Sequence, residues 1–236
     1  FLFNFKPTRF SKPSRFRYLL NAKQNYMKLI PIEKGKYYHI YNRGNNSVNL
    51  FFENENYSHF LKLYEQYIDP IAETYAWCLM KNHFHLLVYI KEDSEIDITK
   101  LEYSATENPK TVSASKQFSN LFNAYTKAIN KRYKRTGSLF EKNFKRRIVT
   151  SDAYFQKLIY YIHNNPVHHR FTTSIVEYPW SSYGTVVSDK PTKLQRKKVI
   201  ELFKDVDSFK YYHSINQDLK DVEDLNNNFE IYRISY

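Results

Sequence analysis

A chain of 236 residues that is 42% hydrophobic can bury a real core, as one domain with extensions or as two small domains. A single cysteine, Cys78, excludes an intramolecular disulfide and suits a reducing compartment, and no apolar run approaches the roughly 18 residues a membrane span needs. Thirty-six Lys and Arg against 24 Asp and Glu leave a formal charge of +12, interleaved with 18 Phe and 22 Tyr; this mixture suits a nucleic acid, above all a single strand, and equally an aromatic core under a cationic surface.

Residues 1–27 carry six Lys or Arg, two prolines and no acidic residue, and show no clear period, which reads as a basic arm. A transit peptide and a leader preceding a native start at Met27 are the alternatives. The run KYYHIYN at 36–42, ended by Gly44, predicts a first strand. Tyr57, Phe60, Leu61, Tyr64, Tyr67 and Ile68 then recur at helical spacing until Pro70 stops the pattern.

Residues 74–90 read as two apolar strands joined by a tight turn at Lys81 and Asn82. A polar loop, 92–112, containing Pro109, leads to a second helix over 115–135, whose apolar face is Phe118, Leu121, Phe122, Tyr125 and Ile129 and whose stop is Gly137. KRRIV at 145–149 predicts a short strand, and Ser151 caps a third helix expected to end at Pro166. Beyond Trp180 the chain turns polar and helical, with Asp and Asn concentrated at 218–228. The order strand, helix, strand, strand, helix, strand, helix predicts an α+β, ferredoxin-like antiparallel sheet with helices on one face, one additional helix, and a helical C-terminal extension over 185–236.

His83 and His85 alternate with core residues on one strand, so both imidazoles project from the same face and form a candidate bidentate metal site. By themselves they read as readily as hydrogen-bonded strand histidines. Tyr161 and Asn165, four apart on the third helix, share a helical face and offer a hydroxyl and a carbonyl oxygen. A hard cation, Mg2+ or Mn2+, takes such donors and leaves positions for phosphate oxygens, so that the Tyr161 oxygen can attack phosphorus. A lone Tyr in so aromatic a chain is otherwise a core residue. A small-molecule metalloenzyme using the histidine pair leaves the cationic charge unexplained.

Four stretches, YHIYNRGNN at 38–46, WCLMKNHFHLLV at 77–88, GSLFEKNFKRR at 137–147 and YYIHNNPV at 160–167, the last followed by YPWSSY at 178–183, together resemble the HUH-type single-tyrosine transposases, in the branch associated with repetitive extragenic palindromes (REP). The resemblance covers 36 to about 184 and implies a catalytic domain over 28–184. It implies His83 and His85 as metal ligands, Asn165 as a polar third ligand, and Tyr161, five residues before Pro166, as nucleophile in preference to Tyr160. It further implies cleavage and rejoining of single-stranded hairpin DNA through a 5'-phosphotyrosine, by a monomer or homodimer in the bacterial cytoplasm at the nucleoid. Arg43, Lys145, Arg146 and Arg147 are the candidate phosphate contacts. His163 departs from the pattern and is read as a surface residue or a DNA contact. The competing class is a hairpin-binding protein of the same fold without catalysis.

Overall fold

The computed structural model describes residues 31–101, 112–220 and 222. The chain divides into two units, 1–31 and 32–236, and the fold below is that of the second. The expected basic arm, Pro109 and most of the Asp- and Asn-rich stretch lie outside the described residues.

Four strands form one antiparallel sheet in the order β2-β3-β1-β4: β1 Lys36–Arg43, β2 Ala72–Met80, β3 His83–Ile90 and β4 Lys145–Val149. This is the ferredoxin-like α+β arrangement, with the helix α1 (Asn54–Tyr67) joining β1 to β2 and α2 (Ala114–Arg132) joining β3 to β4. Strand alternation sorts the side chains. Tyr38, Ile40, Phe84, Leu86 and Val88 face α1 and α2, meeting Phe60, Tyr64, Phe118, Leu121 and Tyr125 in one core. Each such large apolar side chain contributes about 1.5–3 kcal/mol on burial, so the face of β3 opposite the histidines holds the strand in place.

The additional helix, α3 (Asp152–His168), crosses the other face of the sheet. Its Phe155, Leu158, Ile159 and Ile162 pack on Cys78, Met80, Leu87 and Val149, together with Val186, Val199, Phe203 and Phe209 from the C-terminal extension. That extension forms α4 (Tyr183–Val187), α5 (Arg196–Leu202) and α6 (Val206–Ser214). A register shift between Thr74 and Ala76 makes a bulge that turns both Tyr75 and Ala76 into this second core. The segment before α4 runs along the outer edge of β2: Leu79 N–H donates to the Trp180 carbonyl at 2.9 Å, Ser182 N–H to that of Trp77 at 2.9 Å, and the Tyr178 hydroxyl to that of Leu79 at 2.8 Å.

Two helix ends differ from expectation. Lys134 adopts a left-handed backbone (φ 51), and α2 stops at Arg132 rather than 135. Ser151 caps α3 as expected, accepting the Tyr154 N–H, but the helix runs through Pro166 to His168. A proline removes its own N–H and crowds the carbonyl four residues back, yet the last turn is closed by other bonds: His169 N–H reaches the Asn165 carbonyl at 2.9 Å, and with Arg170 left-handed (φ 59) its N–H reaches Val167 O at 2.9 Å and Phe171 N–H reaches Pro166 O at 2.8 Å.

Candidate active site

The turn between β2 and β3 sets the rim of a pocket of about 640 Å³. Its carbonyls accept the N–H groups of Gly44 (Asn82 O, 2.8 Å), Leu50 (Lys81 O, 2.8 Å) and Phe51 (Lys81 O, 3.0 Å), tying the loop after β1 to the start of β3. Gly44 is required by space, since a Cβ there would overlap the Val48 carbonyl oxygen. Asn46 and Ser47 follow with left-handed backbones, φ 53 and 60, and Ser47 reaches the pocket wall.

His83, His85 and Tyr161 all line this pocket, and Asn165 stands behind His83. The His83 and His85 rings lie 5.4 Å apart, and Tyr161 meets His85 edge-on at 5.4 Å. Burial drives the His83 pKa down to about 4 and that of His85 well below the usual imidazole range, so both rings are neutral at pH 7 and present nitrogen lone pairs. His83 Nδ1 lies 2.7 Å from Asn82 Oδ1 and must donate to it, because an amide oxygen only accepts. His83 Nε2 is then a lone pair, yet it faces a second acceptor, Asn165 Oδ1, at 3.3 Å. The Asn165 amide nitrogen is buried with no hydrogen-bond partner.

Two electron-pair donors facing one another, His83 Nε2 and Asn165 Oδ1, suit a small cation held between them. Neighbouring ligand atoms about 2.1 Å from an octahedral ion lie about 3.0 Å apart, close to the spacing of His83 Nε2 and Asn165 Oδ1. Among the described residues no group of three or more His, Cys, Asp or Glu converges as a metal site, and the donors that the motif resemblance singles out are two imidazoles and one amide oxygen. Such a set fits a hard divalent ion that keeps open positions.

The candidate phosphate contacts separate. Arg43 and Lys145 line the pocket, Arg43 Nε donating to Glu141 Oε1 at 2.5 Å and the Lys145 ammonium standing 5.9 Å over the Tyr41 ring. Arg147 pairs across from His39 and so shares the histidine face. Arg146, paired with Ile40, is turned to the opposite face, where its guanidinium lies 4.9 Å from the Phe144 ring and reaches Ser115 Oγ at 3.3 Å. Adjacent strand residues alternate sides, so a run of three cations cannot serve one surface.

Tyr160 is 4% exposed and packs against Tyr212 and His213, away from the pocket. His163 is neither on the surface nor placed to touch DNA: it is fully buried at the centre of a directed chain. His213 Nδ1 donates to the Phe209 carbonyl (2.8 Å), which leaves His213 Nε2 to accept from His163 Nδ1 (3.0 Å) and His163 Nε2 to accept from the Ser182 hydroxyl (2.8 Å), while Ser182 Oγ accepts the Trp77 N–H (2.9 Å). These bonds lock the helix bearing Tyr161 to β2 and α6.

Sequence reasoning missed His39, Glu141, His169 and Phe171. His39 shares the face of Tyr37 and Tyr41 by alternation, which was a usable signal. Its contact with His85 depends on strand register, and His169 and Phe171 reach the pocket only because α3 continues past Pro166.

No family model matches the chain. A Haemophilus influenzae protein provisionally named a REP-associated tyrosine transposase is 24% identical over 112 residues, 47% of this chain and 58% of the relative, so the match spans less than two thirds of that relative. A solved structure of a REP-associated tyrosine transposase bound to a REP hairpin aligns with a TM-score of 0.50 at 17% identity, covering 70% of this chain and 87% of that one. The structural likeness establishes the fold, and the resemblance read from the four motifs is the one both matches carry.

Proposed function

We propose that this chain is a REP-associated single-tyrosine transposase or a derivative of one, which cleaves and rejoins single-stranded hairpin DNA. The carrying observation is convergence: Tyr161, His83, His85 and Asn165 come from two elements 76 or more residues apart in sequence, yet meet at one pocket flanked by Arg43 and Lys145. The curated relative's name and the hairpin in the neighbouring structure support the substrate class.

In this reading Arg43 and Lys145, which both line the pocket, seat the DNA phosphates. His83, His85 and Asn165 Oδ1 would hold Mg2+ or Mn2+, which when bound supplies Lewis acidity toward a phosphodiester oxygen. The Tyr161 oxygen loses its phenolic proton to solvent and attacks phosphorus in line. A bond from the tyrosine oxygen to phosphorus forms, the bond to the 3' oxygen breaks, and that oxygen leaves as a free hydroxyl after taking up a proton. The 5'-phosphotyrosine keeps the bond energy, so attack by another 3'-hydroxyl rejoins DNA without a nucleotide cofactor. The edge-on packing of Tyr161 against His85 restrains the phenol before substrate arrives, which lowers the entropy cost of the reactive geometry.

The test is incubation of purified protein with Mn2+ or Mg2+ and labelled hairpin DNA from its own genomic neighbourhood, followed by denaturing electrophoresis. A covalent adduct is expected from the wild type and from Tyr160→Phe, and none from Tyr161→Phe. A wild type that forms no adduct on any such hairpin refutes the enzymatic reading and leaves a hairpin-binding protein of this fold.

A further inference from the structure

We infer that His39 is a positioning residue that selects the metal-binding tautomer of His85 and walls the nucleophile, an inference that rests on the proposed metal role of His85. His39 sits on β1, fully buried, diagonally across from His85 on β3. Its Nε2 lies 2.8 Å from His85 Nδ1. Its own Nδ1 is buried with no hydrogen-bond partner.

A neutral imidazole carries one proton for two nitrogens. For His85 to direct the Nε2 lone pair at a cation, its proton must reside on Nδ1, and a buried N–H needs an acceptor. His39 Nε2 is that acceptor. The consequence falls on His39, whose proton must then occupy Nδ1, where nothing receives it. An apolar side chain of similar volume would remove this orphaned donor but orphan the His85 Nδ1–H in its place, so His39 adds little net stability and its use lies in the acceptor at Nε2.

Ring geometry adds a second constraint. The rings of Tyr41, His39 and His85 are nearly parallel, with His39 4.7 Å from Tyr41 at 26° and 5.0 Å from His85 at 23°. Tyr161 meets this stack edge-on, 6.0 Å from His39 at 81° and 5.4 Å from His85 at 85°. One residue therefore fixes both the rotation of a ligand ring and one wall against which the nucleophile rests.

The experiment measures Mn2+ uptake by DNA-free protein, through loss of the free-ion electron paramagnetic resonance signal, alongside long-range proton–nitrogen spectra of the His85 ring and thermal unfolding without metal. In the wild type His85 is expected to carry its proton on Nδ1. His39→Leu, which trades the orphaned His39 N–H for an orphaned His85 Nδ1–H, is expected to stay close to the wild type in heat stability but to bind Mn2+ about 10- to 100-fold more weakly. His39→Gln, whose amide oxygen can accept, is expected to recover most of that affinity. A His39→Leu protein that unfolds earlier yet binds Mn2+ like the wild type would show a merely structural residue and overturn the inference. So would a wild-type His85 protonated on Nε2, an observation that needs no variant. Wild-type protein that takes up no Mn2+ instead sinks the metal reading, and this inference with it.

Discussion

Acid should loosen the anchor of the tyrosine helix, and His213 allows the size of the effect to be worked out. It is 6% exposed, and burial holds its pKa at about 4, against 6.5 for an ordinary imidazole. The unfolded chain therefore binds this proton more readily than the folded one. The associated stability is complete above about pH 6.5 and is lost as the pH falls through the window from 6.5 to about 4. At pH 5 the unfolded histidine is almost fully protonated and the folded one hardly at all, a penalty of about 2 kcal/mol from this residue at about 1.4 kcal/mol per unit. His213→Gln keeps an amide oxygen for the His163 Nδ1–H and an amide N–H for the Phe209 carbonyl, and does not titrate. Urea unfolding at pH 7 and pH 5 should show a stability loss about 2 kcal/mol smaller in the variant than in the wild type. Equal losses in the two proteins would refute the argument that His213 is buried in a neutral, donor-to-carbonyl state.

Other consequences separate the two sheet faces and the pocket rim. Lys145→Ala should reduce the salt dependence of hairpin binding by about one unit of log K against log salt, whereas Arg146→Ala, on the opposite face, should leave that slope unchanged and lower stability instead; both follow from binding titrations at several salt concentrations. Gly44→Ala forces the loop carrying Ser47 to move and should cost about 1–3 kcal/mol in chemical unfolding. Phe171 is 40% exposed at the rim, 6.4 Å from the His83 ring, and suits stacking on an unpaired base. Its replacement by Ala should weaken binding of hairpins with single-stranded flanks by about 1–3 kcal/mol and leave blunt hairpins unaffected, as read by fluorescence anisotropy.

Much of this was legible in the chain because the relevant signals are local. Alternation along His83–Ile90 sends the two histidines one way and Phe84, Leu86 and Val88 the other, whatever the rest of the protein does. A spacing of four on one helix puts Tyr161 and Asn165 on a common side, and periodic Tyr and Phe along α1 and α2 mark the face that meets the sheet. These patterns, with the short turn at Lys81 and Asn82, were sufficient for the element order, whereas the choice of nucleophile and ligands came from the resemblance carried by the four motifs.

What the tertiary structure decided depends on contacts between distant segments. The pairing of His39 with His85 requires the β1–β3 register, and a shift of one residue would have sent His39 into the opposite core. The burial of His163 required α6, some 40 residues further on, to fold back and supply His213. The end of α3 beyond Pro166 is set by a left-handed Arg170, a conformation that local propensity does not favour for an arginine. The cluster at 145–147 shows the division most simply: its charge was plain in the sequence, but only the register with His39, Ile40 and Tyr41 assigned Lys145 and Arg147 to one face and Arg146 to the other.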